Sequence, residues 1–196
     1  MSRACEELNE EHRRIVQVLD CLERQVNRFA ANERPDFDVI AATVEYFQGF
    51  PDLCHHPKED RIFDLLMARD AISAWIVGDL EQAHRQLAEK LRSFAVLVHD
   101  VALDAELRRD EFAAAARRFI ESQRQHLAME EASFFPAAER ALTPEDWVAV
   151  AAAARQLEAL DRGSTESKFE ALARDIRAWD LEDRATGRSA ATPRPV

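Results

Sequence analysis

Residues 126–134 read HLAMEEASF, and residues 55–63 read HHPKEDRIF. Laid over one another without a gap, His55 falls on His126, Glu59 on Glu130, Asp60 on Glu131 and Phe63 on Phe134. The phrase H-x-x-x-acid-acid thus occurs twice. On an α-helix, residues four apart lie one turn apart on one face. Each copy therefore presents an imidazole and a carboxylate together if the segment around it is helical.

The surrounding sequence meets that condition. Only four glycines occur among 196 residues, and Ala, Leu, Glu and Arg dominate, a composition that favours long helices and predicts an all-α fold. Apolar residues recur in alternating steps of four and three, which predicts an up-down bundle of four long helices. Leu8, His12, Ile15, Leu19, Leu22, Val26 and Phe29 mark the first, and NERPDF ends it. The second runs from about Asp38 to Met67, with Ile40, Val44 and Phe47 inward. ARDAISAWIVGD is a connection with room for a short helix. The third helix opens at Asp79 on a D-x-x-Q capping box, and its seam is Leu80, His84, Leu87, Leu91, Phe94, Val98 and Val101. The fourth, from about Ala105 to Arg140, carries Phe112, Ala116, Phe119, Gln123, His126 and Glu130 in one register.

Two more helices are expected. Thr143 as N-cap and Pro144 in the first turn start one that runs to about Leu160 and stops at Gly163. The other, from about Thr165, places Phe169, Leu172, Ile176 and Trp179 at helical spacing for docking on the bundle. The chain accordingly divides into a metal-binding bundle over 1–142, a packed helical extension over 143–182, and a polar, proline-containing tail over 183–196 that is expected to be disordered.

With 37 acids against 26 bases, the net charge of −11 disfavours nucleic acid and anionic membranes as partners. The start lacks an apolar signal region and no run is long enough to span a bilayer, so a soluble, cytoplasmic protein is expected. Cys5, Cys21 and Cys54 form neither a CxxC pair nor an even set, which predicts reduced, structural thiols.

Depth along the bundle brings the polar seam residues together. His12 and His84 follow their helix starts by one to two turns, whereas His55 with Glu59 and His126 with Glu130 precede their helix ends by several. In an up-down bundle these positions reach a common layer. Four imidazoles and two carboxylates exceed the needs of one tetrahedral zinc and suit two ions that share bridging carboxylates and a solvent-derived bridge, with room for an exogenous ligand. Buried glutamates without a cation would carry a heavy desolvation cost. His56, Asp60, Glu131 and Glu11 are expected behind the ligands or at the surface, and His99 at the surface. Tyr46 is given no redox role, and Cys54 is read as a small buried hydrophobe.

The segments EEHRRI, HHPKED, EQAHRQL and QHLAMEEASFFP, over about residues 5–142, resemble the hemerythrin-like HHE cation-binding family. That resemblance implies a four-helix bundle with a non-haem di-iron centre, bridged by carboxylates and an oxo or hydroxo group. It implies as ligands His12, His55, Glu59, His84, His126 and Glu130, with manganese or zinc able to take the same residues. One position departs from the oxygen-carrying members: Ala88 stands where they place a second third-helix histidine. The reduced set is similar to branches linked to iron sensing or to nitrosative and oxidative stress. The expected function is to bind or sense O2, NO or peroxide. The alternatives are an oxidoreductase that turns over peroxide or NO or supplies iron for cluster repair, and a helical interaction module with a structural metal. A homodimer is compatible with either. A ferritin-like plan needs two E-x-x-H phrases and finds only Glu81–His84.

Pro57 falls inside the first phrase. A mid-helix proline costs about 3 kcal/mol and removes a bond to the carbonyl four residues back. A kink is expected between Phe50 and Pro57 rather than a break, because a break would part His55 from Glu59.

Overall fold

The computed structural model describes residues 1–102, 108–160 and 164–186, and among these there is no β-strand. The helices are α1 (Arg3–Ala30), α2 (Phe37–Phe50), α3 (His56–Arg69), α4 (Ala71–Val77), α5 (Leu80–Ala102), α6 (Arg109–Met129), α7 (Phe135–Ala141), α8 (Pro144–Leu160) and α9 (Ser164–Thr186). The expected fourth-helix start at Ala105, the stop at Gly163 and the tail beyond residue 186 lie outside the described residues.

Local chemistry sets the ends. Ser2 caps α1 by accepting from the Cys5 amide, and Asn32 leaves the helix in the left-handed region at φ 65°. Asp36 accepts from the amides of Asp38 and Val39 at the start of α2, and Asp79 from that of Gln82 at the start of α5. The Thr143 hydroxyl accepts from the Asp146 amide, and Asp146 accepts back from the Thr143 amide. Asp146 also takes both Nε and Nη2 of Arg69 at 2.9 Å, which ties α8 to the end of α3.

The second and fourth rods of the bundle are not single α-helices. A π-helical turn, Pro51–His55, joins α2 to α3, and another, Glu130–Phe134, joins α6 to α7. In the first the His56 amide donates to the Pro51 carbonyl, and in the second the Phe135 amide donates to that of Glu130. Each turn is followed at the same offset by a proline, Pro57 or Pro136. In an α-helix a proline ring collides with the carbonyl four residues back, here Leu53 or Ala132, and both lie within the wider turns. Widening moves that carbonyl aside and lets the helical path continue. The expected kink at Pro57 is therefore a π-turn, and its twin interrupts the fourth rod, which the sequence predicts as one continuous helix to Arg140.

α1 packs on α2 and α6, and α5 packs on α6 and α2, which closes the four-rod bundle. Every predicted α1 seam residue is buried. The apolar core falls into two clusters. One holds Ile15, Leu19, Phe47, Phe94, Phe112 and Phe119, and the other Leu8, Ile62, Leu66, Leu80, Phe134 and Phe135. His12 lies between Leu8 and Ile15 along α1, so the layer that divides the two clusters is polar.

The extension packs on one flank, with α8 against α3 and α1, and α9 against α2 and α1. A Cβ at Gly49 would lie 2.1 Å from the Phe169 ring, so only glycine admits α9 this close to α2. Asp180 accepts from Arg24 at 2.8 Å and from Gln25 at 3.1 Å, and Asp183 accepts from Gln25 and Arg28. These bonds carry α9 through to Thr186, past residue 183 where the tail was expected to start. Among the described residues no helix is long and apolar enough to cross a membrane.

Candidate metal centre

Each rod contributes to the dividing layer: α1 gives His12, the second rod His55 and Glu59, α5 His84, and the fourth rod His126 and Glu130. None of the six is more than 8% exposed. Glu59 Oε1 lies 3.4 Å from His12 Nε2 and 3.3 Å from His55 Nε2, while its Oε2 lies 3.6 Å from His84 Nε2. Glu130 is arranged the other way about. Its Oε2 lies 3.5 Å from His12 Nε2, and its Oε1 lies 3.7 Å from His84 Nε2 and 2.9 Å from His126 Nε2. Each carboxylate thus turns one oxygen to the His12–His55 side and one to the His84–His126 side.

The eight atoms concerned, the Nε2 of the four histidines and both oxygens of Glu59 and Glu130, are buried and have no hydrogen-bond partner. Leaving such groups unmatched costs several kcal/mol each in order of magnitude. A cation on either side satisfies them. His12, His55, Glu59 and Glu130 form one set whose ligand atoms lie within 4.8 Å of one another, and His56, Glu59, His84 and His126 form a second. The donor set of imidazole and carboxylate suits iron, manganese or zinc.

Three of the ring nitrogens facing away from the layer have a carboxylate behind them. His55 Nδ1 lies 2.7 Å from Glu11 Oε2, and His12 Nδ1 lies 3.0 Å from Glu131 Oε1. His84 Nδ1 lies 3.7 Å from Asp60 Oδ1. A carboxylate behind an imidazole favours the proton on Nδ1 and turns Nε2 toward a metal. Glu11 is itself held by Lys58 Nζ at 2.8 Å, and Lys58 reaches Glu166 of α9 at 3.0 Å. His55 is thereby linked to the extension. Phe50 stacks on His55 with centroids 6.0 Å apart, and Phe135 on His12 at 5.3 Å.

Burial works against charge on both glutamates, yet His55 and His12 hold Glu59 well below the usual carboxylate range, and His126 and His84 hold Glu130 below it. Burial likewise opposes charge on His55, but Glu59 and Glu11 outweigh it and push the imidazole up to about 10. Without a metal, an imidazolium at His55 is the counterion of the layer.

The six residues singled out in the sequence are brought together in this layer. Glu11, Asp60 and Glu131 stand behind them, a placement fixed by neighbouring helices. His99 is exposed and Cys54 buried. Tyr46 is buried against Phe50 and Phe169, and burial raises its phenol. His56 differs from its expected place. Its ring lies parallel to that of His84, with centroids 3.7 Å apart, on the wall of a cleft of about 520 Å³ between α3 and α5 that His84 and Ala88 also line. The signal for this was the π-turn, which ends at His55 and re-aims the residue after it.

A four-rod bundle whose polar mid-layer offers two histidine and carboxylate sets defines a metal-binding helical protein. Residues 3–138 match the hemerythrin HHE cation binding domain, and the chain belongs to that family. Neither the curated proteins nor the solved structures give a match to the chain.

Proposed function

We propose that the layer holds two iron ions and that the protein binds or senses O2, NO or peroxide at an open coordination position. The observation that carries this reading is the division of Glu59 and Glu130, one oxygen to each side, among eight unpartnered buried atoms. His12 and His55 would hold one ion, His84 and His126 the other, and the two glutamates both. With two imidazoles and two carboxylate oxygens offered to each side, an ion that prefers six ligands would keep room for solvent and an outside ligand.

When bound, a ferrous pair would supply the electrons that a small oxidant takes, and the histidine-rich donor set of His12, His55, His84 and His126 would favour reversible binding over oxygen activation. The chain's own part is to keep the centre dry and aligned. The flanking Phe50 and Phe135 rings exclude water, and Glu11 and Glu131 hold His55 and His12 in the donating tautomer.

Metal analysis with an anaerobic-to-aerobic difference spectrum tests the reading. Two irons per chain and an oxygen-dependent visible band, lost in His126→Ala, are expected. Less than one iron per chain, with identical spectra for both proteins, would overturn it. Sustained peroxide or NO turnover lost in Glu130→Ala would make the protein an oxidoreductase instead.

A further inference from the structure

His56 belongs to neither arm of the H-x-x-x-E pair, and on an ideal helix it points about 100° away from His55. The structure nevertheless draws it to the layer. One of its ring nitrogens lies within 4.8 Å of a ligand atom from each of Glu59, His84 and His126. Its Nδ1 faces Asp52 Oδ1 at 3.1 Å, so the nitrogen left for a metal is Nε2. That is the arrangement seen at His12 and His55, where a carboxylate stands behind each ring.

We propose that His56 is a displaceable seventh ligand to the ion at His84 and His126, placed at the mouth of the α3–α5 cleft. This rests on the dinuclear reading above. Ala88 lines the same cleft, and its small side chain leaves space beside His84 for a second imidazole or for an outside ligand. In the stacked pose the His56 and His84 rings cannot both point at one ion. Neighbouring imidazoles on an octahedral ion, with metal–nitrogen bonds of about 2.1 Å, have ring centres roughly 4.5 Å apart. A displacement on the order of 1 Å from the stack is therefore enough to bind, and the return movement releases the ion to the cleft.

Two states follow. With His56 bound, the ion at His84 and His126 is saturated, and the open position falls on the ion at His12 and His55, beside the Phe50 and Phe135 rings. With His56 stacked on His84, the other ion opens toward the cleft and competes for anions there. His56 thus decides which ion meets an outside ligand.

Cobalt(II) titration of wild type, His56→Ala and His56→Phe tests this, with folding followed by circular dichroism. All three are expected to take up two ions, with the weaker step loosened by roughly ten- to a hundredfold in both variants and a changed visible d–d band. Phenylalanine keeps a stacking ring but has no nitrogen. If His56→Phe titrates and absorbs like wild type, His56 serves only by stacking and the proposal falls. On the iron-loaded proteins, azide should bind more tightly to the variants, since it no longer competes with His56. Equal azide affinity would also count against it. X-ray absorption on unmodified protein with no outside ligand present distinguishes five imidazoles shared by two ions from four; five is expected, and four under that condition would overturn the assignment. Wild type binding fewer than two ions would strike the dinuclear reading instead.

Discussion

His55 and His126 head the same phrase and face the same layer, yet their surroundings differ. The π-turn beside His55 comes before the pair and ends on the histidine, whereas the one beside His126 comes after the pair and begins on Glu130. Behind His55 runs a chain of partners, Glu11, Lys58 and Glu166, that leads into α9. His126 instead lies beside His84, with ring centroids 4.9 Å apart, on the side that opens to the cleft. A short phrase specifies which atoms meet, and the elements around it specify how firmly they are held and what can reach them.

The comparison breaks most severely at the shared carboxylates. Because each glutamate serves both sides, Glu59→Ala and Glu130→Ala should each reduce metal content from two ions to none, whereas His126→Ala should spare the ion at His12 and His55. Elemental analysis decides it. In the metal-free protein, Glu59→Ala should also destabilise the fold, by less than the about 3–5 kcal/mol of a wholly unpaired buried charge, because the imidazolium at His55 keeps only Glu11 as partner.

A smaller effect is expected from deleting Leu53, which is exposed and lies inside the first π-turn. Removal of one residue closes the turn to α-helical spacing and drives Pro57 against a backbone carbonyl, at a cost of about 3 kcal/mol. Adding Pro57→Ala should recover most of that loss in a urea melt. If the deletion alone melts like wild type, the turn is not there to house the proline.

Glu11→Gln should weaken metal binding on the His12–His55 side by roughly ten- to a hundredfold and leave the other side unchanged. Competition with a chelator would show one loosened ion and one intact. Equal loosening of both would mean that the two phrases are not held independently.

The smallest effect is a proton. His55 has its folded-state value raised to about 10, so its contribution to the stability of the metal-free chain is fully present below an ordinary histidine value of about 6.5 and is lost as pH rises through 10. At pH 8 it is still protonated, and metal uptake should release that proton. A pH indicator in weak buffer should record the release, and His55→Gln should abolish it.

Much of this was legible from spacing. The seams of α1 and α5, the doubled phrase and the matching depths place six candidate ligands in one layer because helical periodicity is regular and long. The π-turns are not legible in this way because they violate that regularity. Their signal is a proline two residues beyond each turn, which looks in one dimension like a kink at Pro57 and makes no mark at Pro136, inside the helix expected to run to Arg140. The carboxylates behind the rings are not legible from spacing for another reason. Glu11 reaches His55 from α1, and Glu131 reaches His12 from the fourth rod, so their roles depend on how helices are rotated against each other. His56 departs from its expected place because ideal helical geometry does not hold through the π-turn that precedes it.

The Gly49 and Phe169 contact reaches beyond packing. The family's matched region ends at residue 138, but the α2 surface within it is hollowed to receive a ring from α9. A fragment cut at the end of the match would carry an empty socket next to Phe50, the ring that stacks on His55. Any attempt to graft this metal layer onto another scaffold has to bring the plug with the socket.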